Sequence, residues 1–347
     1  MISTKSRVLA HANPALVEVM RGPLVESRHR CAVAVVDSHV GLVRKWGDIE
    51  AVILPRSSLK PFQAISMLES GAFDAFGLAD EELALHCASH SGESEHVSRV
   101  VSWLAKIGCG EDDLKCGPQR PLGLQLEPNL PEQHPQPSKV ANNCSGKHTG
   151  FLTTAKHLGA GIRGYTSTGH PVQQLVRNII AEMCDTDPES MPVGFDNCGA
   201  PVFGVSLHSF AHAAARLAKP DGLESVRADA CTRVVSAMRA HPWLVAGSRR
   251  ADTILMQDDG FDGVAKCGAE GVFLVAVPEE GIGMAIKVDD GGDRAASALA
   301  VGVLHALGIL DVDTHSRLSA AIDKTVMGAD GDEVISTVRV IGEVLAV

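Results

Sequence analysis

Two blocks of strand-like sequence at opposite ends of the chain constrain its fold more than any other feature. Near the N-terminus, residues 16–20, 31–36 and 42–46 are short apolar runs with turn residues at 37–41, the pattern of antiparallel strands. The same texture returns only after Gly247, in residues 253–256, 263–268, 271–277 and 281–288. Between the two blocks the apolar spacing is helical, over 58–69, 93–107, 172–184, 203–217 and 223–241. A further helix over 293–307 carries Ala296, Leu299, Val303 and Leu307 in register, with Gly308 placed to stop it. No internal repeat or low-complexity linker divides the chain. The expectation is an α/β fold with one antiparallel sheet made of two halves, about 14–57 and 250–290. A mostly helical region, about 58–247, is inserted between them, C-terminal helices fill 292–347, and residues 1–347 form a single unit.

Composition narrows the function classes. The chain has 347 residues, enough for a sizeable core, and its net charge of −11 provides no basic stripe for nucleic acid. Residues 1–14 lack an apolar signal region, and no run approaches the roughly 18 apolar residues of a membrane span. A cytoplasmic protein without a membrane partner is expected. Nine scattered cysteines do not suggest a disulfide framework, so chemistry is sought only where they lie in polar, Gly-rich sequence. Residues 116–138, rich in Pro, Gln and Leu, read as a long loop, a lid or an interface arm.

Arg56-Ser57-Ser58-Leu59-Lys60-Pro61 contains an S-x-x-K pattern where a sheet hands over to a helix. Spacing of three places Ser57 and Lys60 on one face, and Pro61 fixes them in the first turn, where proline's missing N–H is no loss. Burial and the positive end of the helix would both lower the proton affinity of Lys60, allowing it to deprotonate Ser57. A surface serine with a solvated lysine is the plainer alternative. Ser89, in Ala88-Ser89-His90-Ser91-Gly92-Glu93, and Lys266, followed by Cys267-Gly268, could complete an acyl-transfer site. Lys266 stands in chain order where penicillin-binding enzymes carry K-T-G. His86 and His90, four apart, superficially match a zinc-protease helix, but Cys87 stands where that motif needs its neighbouring glutamate.

Four runs together carry a family resemblance: Arg56–Pro61, Ala88–Glu93, Asn142-Asn143-Cys144-Ser145-Gly146-Lys147-His148-Thr149-Gly150, and Asp196-Asn197-Cys198-Gly199-Ala200-Pro201, with Lys266 beyond them. In this order the chain resembles the rhizobial-type (class 3) L-asparaginases from about Pro14 to Leu307. The resemblance implies a serine β-lactamase/glutaminase-like fold and a homodimer that hydrolyses L-asparagine to L-aspartate and ammonia. It maps two Ser–Lys pairs onto Ser57 with Lys60 and Ser89 with Lys266. It also maps a modulatory zinc site onto Cys144, Lys147 and Cys198, and a substrate pocket onto Arg56, His148 and Asp196.

The residues support these assignments unequally. Cys144 and Lys147 share a helix face at spacing three, and two thiolates suit zinc, whereas lysine must first lose a proton. Two buried thiols, or a redox-sensitive pair, are the alternatives. Arg56 and Asp196 suit the carboxylate and ammonium of a zwitterion, or simply each other in an ordinary ion pair. His148 could orient substrate or cap its helix. Rival functions are a glutaminase, a β-lactamase-like amidohydrolase, or a non-catalytic zinc- or redox-sensing homologue.

Overall fold

The computed structural model describes residues 12–122, 136–322, 326–327 and 334–345. Its centre is an antiparallel sheet of β1 (Ala15–Arg21), β2 (Leu24–Asp37), β3 (Gly41–Trp46), β4 (Val264–Gly268), β5 (Val272–Val277), β6 (Ile282–Val288), β7 (Val326–Met327) and β8 (Val334–Val340). The order is β7-β8-β1-β2-β6-β5-β4, with β3 also on β2. The long strand β2 joins two neighbourhoods, since residues 24–30 pair with β1 while residues 31–37 pair with β6 and, from Val33 on, also with β3. Its burial follows suit, alternating in the first half and continuous from Cys31 to Val36. A continuous apolar run is what a strand covered on both faces requires, and β5 is likewise buried throughout.

N- and C-terminal sequence thus share one sheet, and the helices between them include α1 (Lys60–Glu69), α2 (Asp80–His86), α3 (Ser145–His157), α4 (Leu207–Ala218) and α5 (Ala251–Met256). α4 packs on β2, β5 and β6, and α6 (Asp293–Ala306) packs on β1, β5, β6 and β8. Two expectations are corrected. Residues 253–256 belong to α5 and not to a strand, because a run of four residues does not fix a period and Asp252 in the first turn favours a helix start. The segment 292–347 is not wholly helical: Val334–Val340, rich in β-branched residues, pairs with β1 and extends the sheet. Of the expected 116–138 loop, residues 123–135 lie outside the described residues, and Gln119 bridges to Ser138. Among the described residues no helix is long and apolar enough to cross a membrane.

Two glycines set how closely α3 approaches α2. A Cβ on Gly146 would lie 2.3 Å from the Leu85 carbonyl oxygen, and one on Gly150 would lie 2.3 Å from His86 Nδ1. Helix propensity alone favours alanine over glycine by about 1 kcal/mol. Here crowding wins, so Gly150→Ala is expected to destabilise the fold by about 1–3 kcal/mol. A thermal melt checks the sign, and a raised Tm would contradict the close approach.

Candidate active site

The S-x-x-K segment folds as a tight 3-10 turn, Arg56–Leu59, leading directly into α1 with Pro61 in its first turn. Arg56 adopts a left-handed backbone, φ 55°, a conformation that costs a non-glycine residue about 1–2 kcal/mol. Ser57 is half-buried, whereas Lys60 is fully buried. The Lys60 amine donates to the Ala88 carbonyl at 2.5 Å and contacts Ser89 Oγ at 2.9 Å. Burial holds its pKa below the ordinary 10.5, helped by the charges of Lys147 and Lys266 and opposed by Cys144 and Cys198. Once deprotonated, an amine touching a hydroxyl is a proton acceptor in place.

Ser89 is anchored by its own N–H, which donates to the Val245 carbonyl at 2.9 Å. Next to it, His90 Nδ1 accepts the Gly92 N–H at 3.1 Å, so Nε2 carries the proton and donates to Ser145 Oγ at 2.9 Å. Ser145 in turn donates to the Val140 carbonyl at 2.8 Å. His90 therefore ties the Ser89 segment to the start of α3. The superficial zinc-protease spacing of His86 and His90 is not helical, because α2 ends at His86.

Lys266 lies on β4, fully buried. Its amine donates to the Cys267 carbonyl at 3.0 Å and sits 3.4 Å from Asp252 Oδ1. The same carboxylate oxygen accepts the Cys267 N–H at 2.6 Å. Burial opposes the charge on Asp252, but Lys266, Arg250 and that N–H outweigh it and hold the pKa at about 2. Arg250 reaches Cys267 Sγ at 2.9 Å. The direct contacts are thus Lys60 with Ser89 and Lys266 with Asp252. Ser58, between Ser57 and Leu59, binds the Lys266 carbonyl at 3.0 Å and fastens the turn to β4.

Cys144, Lys147 and Cys198 do come together. Lys147 Nζ donates to Cys198 Sγ at 3.2 Å and lies 3.9 Å from Asp196 Oδ2. The Cys144 thiol donates to Cys198, which draws the Cys198 pKa down to about 5 and pushes that of Cys144 up to about 12. Desolvation disfavours a charged Lys147, but the nearby Cys198, Cys144 and Asp196 prevail and raise its pKa. Among the described residues no group of three or more His, Cys, Asp or Glu suits a metal, and this trio completes its donor set with a lysine.

Arg56 pairs with Asp196 through Nε and with Asn197 Oδ1 at 3.4 Å, so the two residues expected to hold opposite ends of a substrate hold each other. His148 Nδ1 lies 2.7 Å from the hydroxyl of Tyr165, which accepts the Lys115 N–H at 2.8 Å. Burial, with Lys147 nearby, pushes the His148 pKa down to about 3, leaving a neutral ring whose Nε2 is buried without a hydrogen-bond partner.

A cavity of about 460 Å³ opens beside these groups, lined among others by Ser57, Ser89, Asn143, Arg250, Asp252 and Cys267. Arg56, His148 and Asp196 are not among its lining residues. Sequence reasoning missed Arg250, Asp252 and Tyr165. The charged run Arg249-Arg250-Ala251-Asp252 was the available signal, obscured by reading the following residues as a strand. Tyr165, the single tyrosine, stands in no motif.

The family model described as L-asparaginase II matches residues 17–339. Among solved structures, native Mglu aligns over 87% of this chain and 70% of its own, at 16% identity and a TM-score of 0.47. A β-lactamase from Mycobacterium bovis aligns over 79% and 94%, at 12% identity and 0.40. Another β-lactamase, from Sphaerobacter thermophilus, aligns over 78% and 85%, at 14% identity and 0.40. No curated protein matched.

Proposed function

The chain belongs to the L-asparaginase II family, and from that premise we propose that this amidohydrolase converts L-asparagine to L-aspartate and ammonia through a serine ester. One observation carries the reading: a fully buried Lys60 amine lies 2.9 Å from Ser89 Oγ beside the cavity that Ser57 and Ser89 line. Ser57 Oγ attacks the side-chain amide carbon, and its proton passes through the Ser89 hydroxyl to neutral Lys60. The protonated amine returns that proton through Ser89 to the departing nitrogen, which leaves as ammonia. Water then attacks the aspartyl ester along the same relay, releasing aspartate and restoring the Ser57 hydroxyl. Lys266, ion-paired with the buried cavity residue Asp252, supplies positive charge near the site.

Zinc fits the second cluster. Cys144, Lys147 and Cys198 already face one another and would offer two soft sulfurs and a nitrogen as donors. Bound there, zinc would supply Lewis acidity and fixed positive charge, and Lys147 must first release its proton. Zinc is assigned a modulatory role, since the proton relay is built from serine and lysine alone. The reading also includes a homodimer in the cytoplasm, acting on a small-molecule substrate.

Ammonia release from L-asparagine and L-glutamine, measured side by side with β-lactam hydrolysis, tests the assignment. Asparagine turnover should dominate. Faster turnover of glutamine or a β-lactam would move the enzyme to a neighbouring amidohydrolase class. No ammonia from any amide, with tight stoichiometric zinc, would favour a non-catalytic sensor.

A further inference from the structure

The substrate reading above requires an anion for the α-ammonium of asparagine, and the expected candidate is already engaged. Asp196 gives Oδ1 to Arg56, and its Oδ2 lies 3.9 Å from Lys147. Asp252 is in a different position. It is fully buried and lines the cavity shared by Ser57 and Ser89. Oδ1 is satisfied by the Cys267 N–H at 2.6 Å and Lys266 at 3.4 Å, while Oδ2 has no hydrogen-bond partner. Arg250 Nη2 lies 3.9 Å from Oδ2, beyond hydrogen-bond reach.

A buried carboxylate oxygen without a donor is costly unless something entering the cavity supplies one. Asp293 also lines the cavity but is exposed, so water satisfies its oxygens. We propose that Asp252 is the substrate-ammonium receptor, so that the site selects amides of α-amino acids, with Arg250 beside it for the α-carboxylate. This inference rests on the asparagine reading and adds the atom that recognises the amino group. The ion pair with Lys266 then has a second consequence: it holds the Asp252 side chain in place through Oδ1 and leaves Oδ2 for another donor. An ammonium there would complete the coordination of Asp252 by charge-assisted hydrogen bonds.

Binding of L-aspartate and of succinate, its analogue without the ammonium, isolates this contact. Calorimetry on the wild-type protein should give a succinate-to-aspartate Kd ratio of about 30 or more, the range for a buried charge pair. In Asp252→Asn the ratio should collapse toward one. Any general damage to Lys266 or the fold weakens both ligands together and cancels in the ratio. Should Asp252→Asn fail to fold, Asp252→Glu keeps the charge for Lys266 but displaces Oδ2, and the ratio should again fall. A wild-type ratio near one, or an unchanged ratio in the folded variant, overturns the inference. Ammonia release from L-asparagine and succinamate gives the parallel ratio in kcat/KM. If discrimination is lost in the variant while wild type hydrolyses no amide, the ammonium site stands and the reaction assignment fails.

Discussion

Replacing Lys60 with methionine should lower kcat by about 10³-fold or more while leaving a folded protein, because it removes the base from the relay. Methionine matches the volume of the lysine stem, so the packing of the first turn of α1 is kept. The Ala88 carbonyl and Ser89 hydroxyl lose their buried partner, at about 1–3 kcal/mol for an unsatisfied group. Removing an amine whose own burial is unfavourable offsets part of that loss. Steady-state ammonia release and a thermal melt separate the two effects, and near-normal turnover in Lys60→Met would exclude Lys60 as the base.

The same residue predicts two pH dependences. Activity needs the neutral amine, so kcat/KM should rise as pH passes upward through the lowered pKa of Lys60 and then level off below its ordinary 10.5. Stability should also rise with pH between that lowered value and 10.5, because the unfolded chain binds a proton that the native chain has released. Below the folded pKa both states are protonated and the contribution is lost. Lys60→Met should lack both slopes, as urea titrations across that interval would show.

Alanine at Ser57 should reduce kcat by about 10⁴-fold or more, since no acyl-enzyme can form without the nucleophile. Alanine at Ser89 should cost about 10²-fold, because water can replace a lost relay hydroxyl imperfectly. Acid-quenched mass spectrometry of the wild-type enzyme with asparagine should place the aspartyl ester on the peptide containing Ser57. The reverse ranking, with the ester on Ser89, would exchange the roles. The direct contact from Lys60 to Ser89 would then activate the nucleophile itself.

The site was legible in proportion to how local its chemistry is. Lys60 and Pro61 announce a helix start, and Cys144 with Lys147 occupy one face of the next functional helix, because helical spacing converts sequence separation directly into direction. The sheet's two halves were legible for the same reason, through apolar runs that strands of either end must bury. The C-terminal strand Val334–Val340 escaped notice although its β-branched residues were visible, and α5 was mistaken for a strand because a run of four residues carries no period.

Sequence by itself determined the family, the order of the motifs and an antiparallel sheet built from two separated halves of the chain. Tertiary structure alone decided their partners. Lys60 meets Ser89 because α1 carries its amine to the Ala88–Ser89 segment, while β4 delivers Lys266 to Asp252 on a neighbouring helix. Arg56 meets Asp196, 140 residues away in the chain, and Asp252 Oδ2 is left without a hydrogen-bond partner. Backbone periodicity fixes which way a side chain points. What it meets there depends on segments remote in sequence, whose approach is set by packing, as where two glycines let α3 close on α2.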